Sequence, residues 1–316
     1  MTNLGENRKE TKIKVQVFLY LAVLGIIMTV VGNVLLLSVI YLAKTLHIPK
    51  YTIVFNLALT DLCGSTALIP KVLDTFLFDN RYIVYEACLS YMFFVWFFLN
   101  VQSWTLVIMA YDRFIAICFP LRYHSIVTKP AIAAMLLLVW IVLMTCTVGL
   151  LDRLSFCGSL VIQNFMCGMG SILDLACGDT SLISNIAFVS FVLNPCLPPI
   201  LIILTYVCIA IALSRVASPK ERLKAAKTCT SHLILVAVYF IPFLYSNLIS
   251  DIDRDGMIIT EVLPDTLPPL INPILYSLKT EEVLNCIKKL CNNMLSNITM
   301  SKKVFTAMLT KWKVLK

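Results

Sequence analysis

Asp112 and Arg113 stand side by side at the end of an uncharged run that starts after Glu86. An acid and a base placed where a membrane-buried helix meets water attract strongly at low dielectric and weakly at high dielectric. Such a pair holds one arrangement and releases in another, so the chemistry it suits is a conformational switch facing a soluble partner. A second polar group lies deeper. Asp61 is the one ionisable residue well inside an apolar span, which makes it a functional-site hypothesis by default. Asn33, Gln102 and Asn272 fall at similar depth on other spans. Together the four suit a network holding water or a sodium ion; a protonated, hydrogen-bonded aspartic acid is the alternative, and the residues leave both open. Pro273 removes a backbone donor and kinks its helix, with Asn272 placed to satisfy freed backbone groups and Tyr276 free to swing between helices. His232 reads as a packing or hydrogen-bonding residue. No HExxH, CxxC pair, Gly-rich phosphate loop or Ser-His-Asp order occurs, so neither enzyme chemistry nor a cofactor is expected, and no metal beyond the sodium candidate.

The elements that must position these groups are membrane helices. The chain has 316 residues, 59% of them hydrophobic and 14% charged, with a mean hydropathy of +0.87. A soluble domain needs far more charge to cover its surface. Uncharged runs between Lys14 and Lys44, Glu86 and Asp112, Lys129 and Asp152, Asp179 and Arg215, and Lys227 and Asp251 each supply the roughly 20 apolar residues of a spanning helix. A sixth span contains Asp61, and a seventh, proline-rich one ends before Lys279. The expected spans are 17–43, 51–77, 87–111, 131–151, 182–214, 226–250 and 258–278, preceded by an extracellular segment 1–16 and followed by a cytoplasmic tail 280–316.

Orientation follows from the loops. With the amino terminus outside, 18 of the 26 Lys and Arg residues fall on the inner side, as the positive-inside rule requires. Arg8, Lys9, Lys12 and Lys14 oppose it locally. The net charge of +8 reads as attraction to anionic membrane lipid rather than to nucleic acid. The apolar run after residue 16 is too long for a signal-peptide core and is expected to remain as a helix. Asn297-Ile-Thr299 matches a glycosylation acceptor but lies in the inner tail.

Cys88, Cys157, Cys167 and Cys177 fall on the outer side, where disulfides form; spacing leaves all three pairings open. Cys63, Cys146, Cys196 and Cys208 lie within spans and read as buried free thiols. Cys286 and Cys291 follow the seventh span near Lys288 and Lys289, a setting open to palmitoylation.

Over nearly its whole length the chain resembles the odorant receptors of the rhodopsin-like G-protein-coupled receptor class. Gly32-Asn33 and Leu57-Ala-Leu-Thr-Asp61-Leu-Cys63 carry the first part of the likeness. Met109-Ala-Tyr-Asp-Arg-Phe-Ile-Ala-Ile-Cys-Phe-Pro-Leu-Arg-Tyr123, Lys224-Ala-Ala-Lys-Thr-Cys-Thr-Ser-His-Leu233 and Pro268-Pro-Leu-Ile-Asn-Pro-Ile-Leu-Tyr-Ser-Leu-Lys279 carry the rest. The loop segments around Cys157, Cys167 and Cys177 look like that family's three-cysteine loop. The resemblance pairs Cys88 with Cys167 and Cys157 with Cys177. It departs from the family at Phe114, where Tyr is usual, and at Gln102, commonly Glu. Helix six reads Tyr239-Phe240-Ile241-Pro242 instead of Phe-Tyr-Gly, so a hydroxyl next to the ligand region has moved.

What the resemblance implies is an all-α membrane protein: a seven-transmembrane helix bundle with a short amphipathic helix after the seventh span. It implies a receptor that binds a small odorant in the outer half and activates a heterotrimeric G protein, of the stimulatory olfactory type, raising cAMP. Val95, Trp96, Leu99, Asn100, Ser103, Phe240, Phe243 and Asn247 are the expected ligand-lining residues, a mostly apolar set with a few hydrogen-bonding groups. Asp112, Arg113, Tyr206, Asn272, Pro273 and Tyr276 are the expected coupling switch, and Asp61, Gln102 and Asn272 the sodium candidates. A receptor of the same fold for peptides or lipids is the alternative, with Asp251, Asp253 and Asp255 as a possible peptide-facing patch. A multispanning transporter fits less well, since no repeat is visible and only Asp61 sits on a central path.

Overall fold

The structure is a computed structural model describing residues 23–78, 82–151, 167, 181–215, 218–248, 266–276, 282–290 and 292. Among the described residues the long helices follow in chain order: α1 Val23–Leu42, α2 Pro49–Phe78, α3 Tyr85–Cys118 and α4 Lys129–Leu151. Then come α5, Ser181–Phe191 continued by Val192–Cys196 and Leu197–Ser214, and α6 Pro219–Leu248, and α7, residues 266–276. An eighth short helix, α8, covers 282–290. The described residues contain no strand.

Local chemistry sets the ends. Pro49 and Pro219 open α2 and α6, where a missing N–H costs nothing and the fixed φ suits the first turn. Thr128 Oγ1 accepts the Ala131 amide at 3.4 Å, capping α4. α3 stops just before Phe119, which precedes Pro120 and is disfavoured in helical conformation. Within α5, Pro195, Pro198 and Pro199 remove three ladder donors, and the chain widens into a π turn over Val192–Cys196 that absorbs the disruption.

Polarity is inverted relative to a soluble protein. Asn33, Asn56, Asp61, Asn100, Gln102 and Asn272 are buried, while Leu24, Val31, Leu137, Leu138, Ile203 and Leu204 are exposed. An apolar exterior of this extent is the surface of a membrane protein. Val23–Leu42, Tyr85–Cys118, Lys129–Cys146, Ser184–Ser214 and Ala225–Pro242 are each long and apolar enough to cross a bilayer. Several helices outrun the expected spans: α3 continues from 111 to Cys118 and α6 begins at Pro219 instead of 226. Hydropathy reports where lipid ends, whereas a helix continues until its ladder is broken.

With lipid outside, interhelical packing rather than water exclusion holds the bundle, and small residues let backbones approach. A Cβ on Gly32 would lie 2.9 Å from Pro273 Cγ, and one on Gly64 would lie 3.2 Å from Phe98 Cβ. These two glycines set the α1–α7 and α2–α3 contacts. Asn56 ties three helices together: its Nδ2 donates to Thr105 Oγ1 at 2.9 Å and its Oδ1 accepts from Trp140 Nε1 at 3.0 Å.

After the seventh helix, α8 packs back on the bundle. Val283 is fully buried among Leu36, Val39, Leu46 and Tyr51. The Tyr51 hydroxyl donates to Glu282, and Lys50 Nζ lies 3.8 Å from the same carboxylate. Cys286 turns toward Thr45, with 3.8 Å between Sγ and Oγ1. It is half-buried beside the residues that surround Val283, and Cys291 lies outside the described residues. The free thiols also depart from expectation. Cys63 and Cys196 are half-buried, whereas Cys146 and Cys208 face outward, where a lipid tail accepts them as small apolar groups.

Candidate switch and ligand site

The Asp112–Arg113 pair lies inside α3, about one and a half turns before its end. Asp112 is 1% exposed, and each of its oxygens has a partner. Oδ2 is 3.4 Å from Arg113 Nη2, and Oδ1 accepts from the Tyr123 hydroxyl at 2.8 Å. The tight turn Pro120–Arg122 reverses the chain and returns Tyr123 to the acid. Burial, then the Asp112 charge, pushes the Tyr123 phenol above its ordinary value, so it remains a donor at neutral pH. Tyr123 joins the candidate switch residues through this bond, a contact that its position in the motif did not reveal. Phe114 packs into the main core and meets Phe119 edge-on at 5.7 Å.

The other candidate switch residues are engaged too. Tyr206 Oη and His232 Nδ1 hydrogen-bond at 2.8 Å, joining α5 to α6, with the rings 5.8 Å apart. Tyr276 Oη reaches Met109 Sδ at 3.3 Å, joining α7 to α3.

In the middle of the bundle the structure joins two of the four polar residues. Asn272 Nδ2 donates to Asp61 Oδ2 at 2.8 Å. Asn33 turns elsewhere: its amide donates to the carbonyls of Thr29 and Pro269, both at 2.9 Å. Pro269 is four residues before Pro273, so its carbonyl is the one the missing proline N–H would have satisfied. Asn33, not Asn272, repairs the kink, because Asn272 is directed at the acid. Asp61 Oδ1, Gln102 Oε1 and Asn33 Oδ1 are buried acceptors without a hydrogen-bond partner among the described residues. Acceptors of that kind call for water or a cation, and a neutral Asp61 would also supply its own proton.

Among the expected ligand-lining residues, Val95, Trp96 and Leu99 are half-buried, and Asn100, Ser103 and Phe240 are buried. Val95 packs on Leu68 and Tyr91, beside Cys167. Asn100 Nδ2 donates to the Trp96 carbonyl at 2.7 Å. Two residues outside the expected set meet this surface. Asn194, in the π turn of α5, accepts from Ser103 Oγ at its carbonyl (3.5 Å) and from Trp104 Nε1 at its Oδ1 (3.3 Å). Tyr239 in α6 donates to the Leu99 carbonyl at 2.5 Å. The moved hydroxyl in Tyr239-Phe240 was the signal for the second; a helix-five bulge had none. Phe243 and Asn247 lie on α6 with side chains outside the described residues. Cys88 and Cys167 form a disulfide with 5.7 Å between Cα atoms; Cys157 and Cys177 lie outside the described residues.

A bundle of this form, with a charged pair near the end of the third helix and a proline within the seventh, has the architecture of a seven-helix membrane protein. The crystal structure of squid rhodopsin matches it with a TM-score of 0.68 over 86% of this chain and 83% of that one, at 16% identity, a likeness of fold. The sequence narrows the class. The olfactory receptor family profile matches residues 21–294. Mouse olfactory receptor 1J1 is 35% identical over 84% of this chain and 86% of its own. Mouse olfactory receptor 8G17 is 33% identical over 88% and 92%, and human olfactory receptor 2M2 32% over 93% and 87%. The chain belongs to the olfactory receptor family, as a multi-pass membrane receptor and not an enzyme.

Proposed function

We propose that this receptor lies in the plasma membrane with its amino terminus outside, binds a small odorant between α3, α5 and α6, and activates a heterotrimeric G protein that raises cAMP. The observation that carries the reading is the divided carboxylate of Asp112, shared by Arg113 and Tyr123. A half-buried guanidinium held by an adjacent acid is a cation in reserve. Once α6 moves outward, Arg113 leaves Asp112 and engages the terminal segment of the G protein, and Tyr206 and Tyr276 exchange their present partners to brace the opened helices. Agonist binding selects that minor state. To move the population from one per cent to ninety-nine, an agonist must prefer it by about 5.5 kcal/mol.

The ligand surface supports a small, weakly polar molecule. It is mostly apolar and carries hydroxyl and amide groups, with no acid among Val95–Ser103 to anchor an amine. The test is cAMP in cells expressing the full chain, challenged with an odorant panel and a peptide panel. Activation by odorants alone supports the reading; activation by peptides alone replaces it.

A further inference from the structure

Helix six carries its phenol one position earlier than the family pattern, and the structure shows where that hydroxyl goes: Tyr239 Oη donates to the main-chain carbonyl of Leu99 at 2.5 Å. The two ends of this bond are unequal. Leu99 lies within the continuous helix α3, so its carbonyl already accepts the amide of residue 103 and offers Tyr239 a second lone pair. Breaking the bond orphans no backbone group. A phenol in an apolar interior, by contrast, requires an acceptor.

The donors around it are already committed. Asn100 Nδ2 is held by the Trp96 carbonyl, and Ser103 and Trp104 are both directed at Asn194. Phe240 is 4% exposed and meets the Tyr239 ring edge-on at 4.8 Å, which steadies the ring while the hydroxyl exchanges partners. Pro242, inside α6, removes the ladder donor for the Val238 carbonyl and gives the helix a bending point at this level.

The geometry points to Tyr239 as an exchangeable latch between α3 and α6, whose hydroxyl is taken from the Leu99 carbonyl by a ligand bearing a hydrogen-bond acceptor, namely a ketone, aldehyde or ester. The ligand half of this inference rests on the odorant reading above; the latch itself does not. Capture of the hydroxyl loosens α6 from α3 just before Pro242, on the side that runs back to Pro219, so that this part of α6 pivots at Pro242 once His232 also exchanges its bond to Tyr206.

Tyr239→Phe removes one oxygen and leaves the ring. In purified full-length receptor, hydrogen exchange of α6 amides is expected to speed up in this variant, and ligand-independent cAMP in cells to rise roughly fivefold. Val236→Ala, one turn earlier in α6, is the packing control, loosening the helix against the core without removing the hydroxyl. Against a panel of ketones, aldehydes and esters with their matched alkenes, wild type should favour the acceptor-bearing members. Tyr239→Phe should lose roughly five- to tenfold of that preference, whereas Val236→Ala keeps it. Unchanged α6 exchange in Tyr239→Phe overturns the latch, even in a chain that signals to nothing. Equal potency of ketones and alkenes in wild type, or an equal loss in both variants, overturns the ligand assignment. A chain that answers only peptides refutes the odorant reading and leaves the exchange result standing.

Discussion

The side-chain amide of Asn33 in α1 donates at 2.9 Å to the main-chain carbonyl of Pro269 in α7, the group that Pro273 leaves without its ladder partner. Two features 236 residues apart in the chain are therefore one device: a kink and its repair. Asn33→Ala leaves that carbonyl buried and unpaired and should cost about 1–3 kcal/mol, read as a lower thermal midpoint of the purified receptor. Pro273→Ala restores the backbone donor. The double variant should lose less than the sum of the two, by about 1 kcal/mol; strict additivity would show the two residues to be independent.

Gly32, beside Asn33, is the other half of this contact. A methyl group there meets the Pro273 ring at 2.9 Å, and a proline ring has no rotamer to escape into. Gly32→Ala is expected to destabilise by about 1–3 kcal/mol and to lower the surface level seen by flow cytometry. Adding Pro273→Ala should recover part of it.

Tyr123→Phe frees one oxygen of Asp112 and weakens the acid's hold on its surroundings. Basal cAMP should rise, by roughly fivefold if the lost bond to the carboxylate contributes about 1 kcal/mol. The raised phenol fixes the pH dependence. Its contribution to stability is fully present below the unfolded value of about 10 and is lost as pH climbs through the higher folded value. The wild-type and variant melting curves should therefore keep a constant separation between about pH 6 and pH 9 and converge only in strong alkali. A separation that changes near neutrality would contradict the assignment.

At the inner end, Tyr51→Phe removes the hydroxyl that anchors Glu282 from a fully buried ring. Lys50→Met removes a partner from a carboxylate that is 62% exposed. The first should cost about 1–3 kcal/mol and the second under about 1 kcal/mol, both by thermal denaturation. The reverse order would mean that charge rather than the buried phenol docks α8.

Helices were legible because hydropathy and charge run on the scale of a bilayer. The uncharged stretches after Lys14, Glu86, Lys129, Asp179 and Lys227 overlap the five helices that, among the described residues, are apolar enough to cross one. Asp112 and Arg113 were legible because neighbours in sequence must be neighbours in space. Tyr123 belonged to the same motif, yet its contact with Asp112 depends on the reversal at Pro120–Arg122. Asn33 was read as a partner of Asp61, and depth along a helix cannot say which way a side chain turns. The π turn at Val192–Cys196, which delivers Asn194 to Ser103 and Trp104, arises from three prolines acting together and has no single-residue signature.

The central claim is that Arg113 is the cation released on activation, and the most direct measurement is odorant-evoked cAMP in Arg113→Ala cells matched to wild type for surface receptor. The account predicts no response at any odorant concentration while the receptor reaches the surface normally. A response of wild-type size in that variant would contradict it.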